Sequence, residues 1–195
     1  ATGPDTYTHE ATLLGDDEGY AEPSPPFLPD LDGDGRPELV FGRKTFRDVY
    51  VYRERELLLS HDGVAVHGFG DTDGDGRDAL IGLRGDRLQV LELDPATLEL
   101  RVIYDQLRDD FMAHAMDVDG DGVDEFIQRG PDWFRLARLV DGEMVVFFES
   151  PPLPESTTGV NRIILLPDTD GDGRAEFVIS QPPHIHFFEA TTPTG

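Results

Sequence analysis

An all-β fold of four repeated units is what this sequence predicts, and three observations predict it. One acidic loop recurs four times, starting at Asp30, Asp71, Asp117 and Asp168. Each copy runs into a short apolar stretch rich in β-branched and aromatic residues, and alternating apolar and polar residues follow. No segment carries the three-to-four-residue apolar spacing of a long helix. The loops begin 41, 46 and 51 residues apart, periods that fit propeller blades or solenoid units.

The elements follow in chain order. Thr6 to Leu14 alternates as a strand standing alone ahead of the first loop. After that loop come Leu39-Val40-Phe41 and the alternating Asp48 to Tyr52. The second unit reads as an inner strand over 64–70, the loop, and strands over 79–83, 87–94 and 98–104. The third repeats this with 112–116, the loop, 125–129, 133–140 and 143–148. Asp94-Pro95-Ala96-Thr97 and Asp141-Gly142 carry the turn signals between strands. The fourth unit has Phe177-Val178-Ile179 and a strand over 184–190, then ends one strand short.

Donating strand 6–14 to the fourth unit closes a ring and removes an unpaired edge. The expected architecture is therefore a β-propeller of four four-stranded blades in one domain, 1–195. The blades span about 22–61, 62–106, 107–150 and 157–190 plus strand 6–14. Each loop joins the first two strands of its blade. The Thr/Pro-rich 191–195 reads as a linker-like tail. The same units could also form part of a larger array.

The shared loop pattern is D-x-D-G-D-G-x-x-E, complete in three copies. In the second copy Ala79 stands at position nine. Carboxylates at alternate positions aim several hard oxygens at one point, and glycine at position six permits the sharp turn, which is how a short loop holds Ca²⁺. Fifteen carboxylates occupy such positions. Without a cation they repel one another. An EF-hand would need a bidentate Glu at position twelve, where this chain has Phe41, Gly82, Gln128 and Ile179. Thrombospondin-type calcium repeats would use cysteine, and the chain has none.

The motif followed at once by an apolar strand, four times over, resembles the FG-GAP or VCBS repeats of integrin-like β-propellers. That resemblance implies ligation by the side chains at positions one, three, five and nine and by the backbone carbonyl at seven. The first site would use Asp30, Asp32, Asp34, the Arg36 carbonyl and Glu38. The second would use Asp71, Asp73, Asp75 and the Arg77 carbonyl. The third would use Asp117, Asp119, Asp121, the Val123 carbonyl and Glu125. The fourth would use Asp168, Asp170, Asp172, the Arg174 carbonyl and Glu176. Up to four Ca²⁺ are expected, with the second site weakest for want of a carboxylate. Family propellers usually have seven blades, and this chain offers four.

The remaining chemistry is sparse. Two histidine pairs stand out, His67 with His114 before their loops and His184 with His186 on one strand face. Trp133, Phe134 and Tyr104 are candidates for a sugar-stacking platform. No nucleophile elbow, phosphate-cradling loop or zinc-helix motif occurs, so no catalytic residue is assigned. A formal charge of -24 argues against nucleic acid or anionic membrane as a partner, since both want a basic surface. No apolar run is long enough to span a membrane.

These readings converge on a non-enzymatic calcium-binding module, extracellular or at the cell surface, for adhesion, recognition or assembly. Its partner would be a protein or glycan. Three alternatives stand beside it: a lectin-like carbohydrate binder, an accessory domain of a polysaccharide-degrading enzyme, and a subunit of a homo-oligomer or filament built by strand exchange.

Overall fold

The computed structural model describes residues 26–43, 48–107, 111–130, 132–153, 162–166, 168–171, 174, 176–181 and 184–189. Strand 6–14, tail 191–195 and Asp172 lie outside the described residues. The described residues contain fourteen strands and no helix. They are β1 (Leu39–Arg43), β2 (Asp48–Arg53), β3 (Glu56–His61), β4 (Ala65–Gly70), β5 (Ala79–Arg84), β6 (Arg87–Asp94) and β7 (Glu99–Leu107). The chain continues with β8 (Phe111–Met116), β9 (Glu125–Arg129), β10 (Phe134–Val140), β11 (Glu143–Glu149), β12 (Arg162–Leu166), β13 (Glu176–Gln181) and β14 (His184–Glu189).

They form four sheets in chain order, β1-β2-β3, β4-β5-β6-β7, β8-β9-β10-β11 and β12-β13-β14. Every pairing is antiparallel between sequence neighbours. Short connections, two to nine residues between paired strands, dictate this, because a parallel pair needs a crossover of about a dozen residues or more. The Asp141-Gly142 turn has both residues at positive φ, 53° and 78°. That backbone matches the right-handed twist of the flanking strands. Leu98 also sits at φ 55°, so it closes the preceding turn and β7 begins at Glu99, one residue after the sequence expectation. Phe27 bridges Val40 with two backbone bonds of 2.8 and 2.9 Å. It therefore stands beside β1 as β4 stands beside β5, ahead of its loop.

Packing runs between consecutive sheets. Leu31, Val40, Val49 and Val51 meet Val64, Val66, Leu80, Leu91 and Leu93 between the first and second. Ala79, Ile81, Leu88 and Val90 meet Ala115, Phe126 and Ala137 between the second and third. Val118, Ile127, Phe134 and Leu136 meet Ile163, Phe177 and Ile179 between the third and fourth. Adjacent residues of one strand thus serve opposite cores: Leu80 faces one and Ile81 the other, as the period-two geometry of a strand requires. The middle sheets are buried on both faces, which is why β5 reads as a near-continuous apolar run and β9 buries Glu125 and Gln128 beside Phe126 and Ile127. Phe134 anchors the last interface, with ring centroids 5.3 Å from Phe177 and 4.5 Å from Phe188. β4, the strand ahead of the second loop, neighbours β8, the strand ahead of the third, and also touches β1 and β2 of the first sheet.

No core cluster of the described residues joins the first sheet to the fourth. The outer face of β14 carries exposed Ile185 and Phe187.

Candidate metal centre

Each acidic loop leaves an inner strand and re-enters the sheet through the strand after it. In three of them the second residue is buried, Leu31, Thr72 and Val118, whereas Thr169 of the fourth is exposed. The side chains at positions one and three approach each other in every loop. Position nine starts the next strand in the last three loops and immediately precedes β1 in the first. Glu38 and Glu125 are fully buried there, and Glu176 nearly so.

The loop is wound by its own carboxylates. Asp30 accepts from the Gly33 and Gly35 amides at 2.9 and 2.8 Å, one through each oxygen. Asp71 accepts from Gly74 and Gly76 at 2.8 and 2.9 Å, and Asp117 from Gly120 and Gly122 at 2.7 and 2.8 Å. Asp168 accepts from Gly171 at 2.6 Å. Turning two amides inward requires positive φ at positions four and six, 75° and 81° in the first loop. Glycine adopts that region without steric cost. The need at position four is a feature that the sequence reading missed.

The position-nine carboxylate closes the turn. Glu38 Oε2 accepts from the Leu31 amide at 2.9 Å, Glu125 Oε2 from Val118 at 2.9 Å, and Glu176 from Thr169 at 3.0 Å. In the second loop Ala79 offers no such acceptor to Thr72.

These bonds gather the oxygens. Asp30, Asp32 and Glu38 each present one ligand atom within 4.8 Å of the others, as do Asp117, Asp119 and Glu125, and Asp168, Asp170 and Glu176. In the second loop the group is Asp71, Asp73 and Asp75. Asp34 and Asp121 accept the position-seven amides of Arg36 and Val123 at 2.8 and 3.0 Å and stand outside these groups of three. The carbonyls at Arg36, Arg77, Val123 and Arg174 are ligands by the resemblance alone. Hard oxygen donors at this spacing suit a hard cation, and a flexible loop with spare carbonyls suits the six to eight ligands of Ca²⁺ better than the strict octahedron of Mg²⁺.

Two arginines absent from the sequence reading enter the cages. Arg53, at the end of β2, donates to Glu38 Oε1 at 2.8 and 2.9 Å and pairs with Asp32 Oδ2. Arg138, on β10, donates to Glu125 Oε1 at 2.6 Å and pairs with Asp119 and Asp121 at 2.9 and 2.8 Å. The hydrogen bond to Glu38 holds the Arg53 guanidinium above its ordinary range. Burial pulls Arg138 down, but the bond and charge of Glu125 outweigh it. Burial pushes Glu125 up against both the Val118 amide and Arg138. In the second loop Arg77 folds back onto Asp75, its own position-five carboxylate.

Adjacent loops are also tied to each other. Asp78 Oδ2 accepts from the Asp30 amide at 2.8 Å, while the Asp78 amide donates to the Asp30 carbonyl at 2.8 Å. Asp124 repeats this on Asp71 at 2.9 and 2.7 Å. Asp78 therefore belongs to the joint with the first loop and does not replace the ligand missing at Ala79. Burial raises both carboxyls, Asp124 to about 6. The same position holds Pro37 in the first loop and Ala175 in the fourth, neither with a carboxylate.

The other candidates separate. Phe134 is buried in the third core, Tyr104 packs at the edge of the second, and Trp133 lies under the Arg135 guanidinium, 5.2 Å from its ring centre. They do not form one stacking platform. His184 and His186 do share a face, ring centroids 6.0 Å apart. The side chain of His114 lies outside the described residues.

The chain matches no protein family and no curated protein. Its fold is similar to that of an Agrocybe aegerita lectin described for specific recognition of non-reducing terminal N-acetylglucosamine, at a TM-score of 0.51 and 16% identity, over 79% of this chain and 45% of that one. A mutant Tc holotoxin pore of Photorhabdus luminescens aligns at a TM-score of 0.46 and 19% identity, over 83% of this chain and 9% of that one. This chain thus spans less than half the length of the lectin chain. The likeness to the lectin concerns the all-β fold. The FG-GAP/VCBS resemblance rests on the loop motif.

Proposed function

We propose that this chain is a calcium-stabilised β-propeller module, non-enzymatic, that acts outside the cell or at its surface in recognition, adhesion or assembly. One observation carries the reading: each of the four loops gathers three carboxylates within 4.8 Å of one another. Ca²⁺ would be held by positions one, three and nine in the first, third and fourth loops, with five and the carbonyl at seven completing the shell, and by one, three, five and the carbonyl at seven in the second. Its role is structural. It neutralises the repulsion among the carboxylates and fixes the loops that join each inner strand to the rest of its sheet. Such loops fill readily where calcium is plentiful, as outside cells.

Ring closure belongs to the same proposal. Strand 6–14 would pair with β14 and cover the edge beside Ile185 and Phe187. Deleting residues 1–15 then exposes that edge and produces aggregation or loss of cooperative unfolding. A truncated chain that stays monomeric with an unchanged melting curve contradicts closure.

Calorimetry with Ca²⁺ tests the metal reading. Up to four sites are expected, the second weakest, and absence of binding heat at micromolar to millimolar Ca²⁺ refutes it. The second functional reading is a carbohydrate binder, supported by the fold likeness to a lectin. A glycan array run with and without Ca²⁺ separates it from protein recognition, since only the carbohydrate reading predicts bound glycans.

A further inference from the structure

The residue facing position nine across each hairpin sorts the loops into two kinds. Leu39 pairs with Tyr52, which places Glu38 opposite Arg53. Phe126 pairs with Ala137, which places Glu125 opposite Arg138. In the fourth sheet Glu176 pairs with Glu189, and in the second the pairing of Leu80 with Leu91 puts Ala79 opposite Glu92. The first and third loops therefore meet a cation at this point and the second and fourth an anion.

The two guanidiniums take up oxygens of the gathered groups themselves. Arg53 bridges Asp32 Oδ2 and Glu38 Oε1, and Arg138 bridges Asp119 Oδ2, Asp121 Oδ2 and Glu125 Oε1. A planar fork suits such bridging, because it reaches two carboxylates with fixed geometry and a full charge. Both side chains remain about one-third exposed, 31% and 30%, so each borders solvent and has room to swing outward. A guanidinium carries one positive charge where a divalent ion brings two.

We propose that Arg53 and Arg138 are exchangeable latches: each holds its carboxylate cage shut in the metal-free protein and yields the shared oxygens to a divalent cation. The idea rests on the calcium reading above and adds its regulation. Latched loops keep their shape when stripped of metal, and they load only after the cation outcompetes the internal ion pair.

The test is a Ca²⁺ titration of full-length ¹⁵N-labelled protein followed by loop amides. Gly35 and Gly122 report the first and third loops, since each donates to a position-one carboxylate at 2.8 Å. Arg53→Gln is expected to tighten the first loop about tenfold, the effect of removing roughly one charge-assisted bond from the competition, and to leave the third unchanged. Arg138→Gln should give the mirror result. Arg53→Lys, which keeps the charge and loses the two-point grip, should fall between wild type and Arg53→Gln and guards against a folding defect. An unchanged or weakened first loop in Arg53→Gln overturns the latch, because the arginine would then support bound metal instead of competing with it. Wild-type amides that ignore Ca²⁺ altogether overturn the calcium reading itself.

Discussion

Glu38→Gln isolates what the position-nine carboxylate does. The side chain is fully buried, one oxygen accepting from the Leu31 amide and the other from Arg53. Glutamine has one oxygen and one amide group. If its oxygen keeps Leu31, its NH₂ faces the Arg53 guanidinium; if it turns to Arg53, the NH₂ faces a buried N–H. Either way a donor meets a donor and a charge-assisted bond is lost. Such bonds contribute about 1.5–3 kcal/mol, and an unsatisfied buried group costs about 1–3 more. Partial exposure of Arg53 reduces the total, which we place at about 3 kcal/mol, a large share of a typical domain's stability. Urea denaturation in excess chelator should show it: at a slope of about 2 kcal/mol per molar, the midpoint moves down by about 1.5 M. With Ca²⁺ present the loss should grow, because a ligand goes as well. A shift below about 0.3 M in both conditions would refute the idea that this residue closes the loop.

Three further outcomes follow from the loops and their neighbours. Ala79→Glu gives the Thr72 amide the acceptor that its counterparts have and adds a carboxylate, so calorimetry should show the second site about tenfold tighter, worth roughly 1.4 kcal/mol; an unchanged affinity means that the side chain does not reach the loop. Gly70→Ala places a methyl against Asp124 Oδ2 and Ala115 Cβ. It should break the joint between the second and third loops and cost at least about 1 kcal/mol in thermal denaturation, while wild-type stability would argue that the joint is slack. Phe134→Ala removes the ring shared by Phe177 and Phe188 and should cost about 3–5 kcal/mol; a loss below about 1 kcal/mol would place the third interface elsewhere.

What could be read from the sequence was local. β6 and β9 have the predicted boundaries because alternation and apolar runs are properties of one strand and its immediate burial. The Asp141-Gly142 turn was visible for the same reason. The turn between β2 and β3 was not: Glu54 and Arg55 take positive φ, 48° and 87°, with no Gly or Asn to announce it. The site divided along the same line. The carboxylate spacing lies within nine residues and pointed to four groups, three of whose members the structure brings together in each loop. Arg53 and Arg138 were missed because their place depends on hairpin register, which counting back from position nine would have supplied. Asp78 and Asp124 were legible only as neighbours of a ligand, since their partners Asp30 and Asp71 lie 48 and 53 residues away in other loops.

The central claim is that calcium held in these loops keeps the fold together. A site filled to a hundred times its dissociation constant adds about 2.7 kcal/mol by mass action, so several sites together rival a domain's whole margin. The direct measurement is the melting temperature of one preparation, first stripped by chelator with metal loss confirmed, then resupplied with Ca²⁺ or Mg²⁺. The account predicts a sharp fall on stripping, recovery with Ca²⁺ and poor recovery with Mg²⁺. A melting curve that does not move when the metal is gone would contradict it.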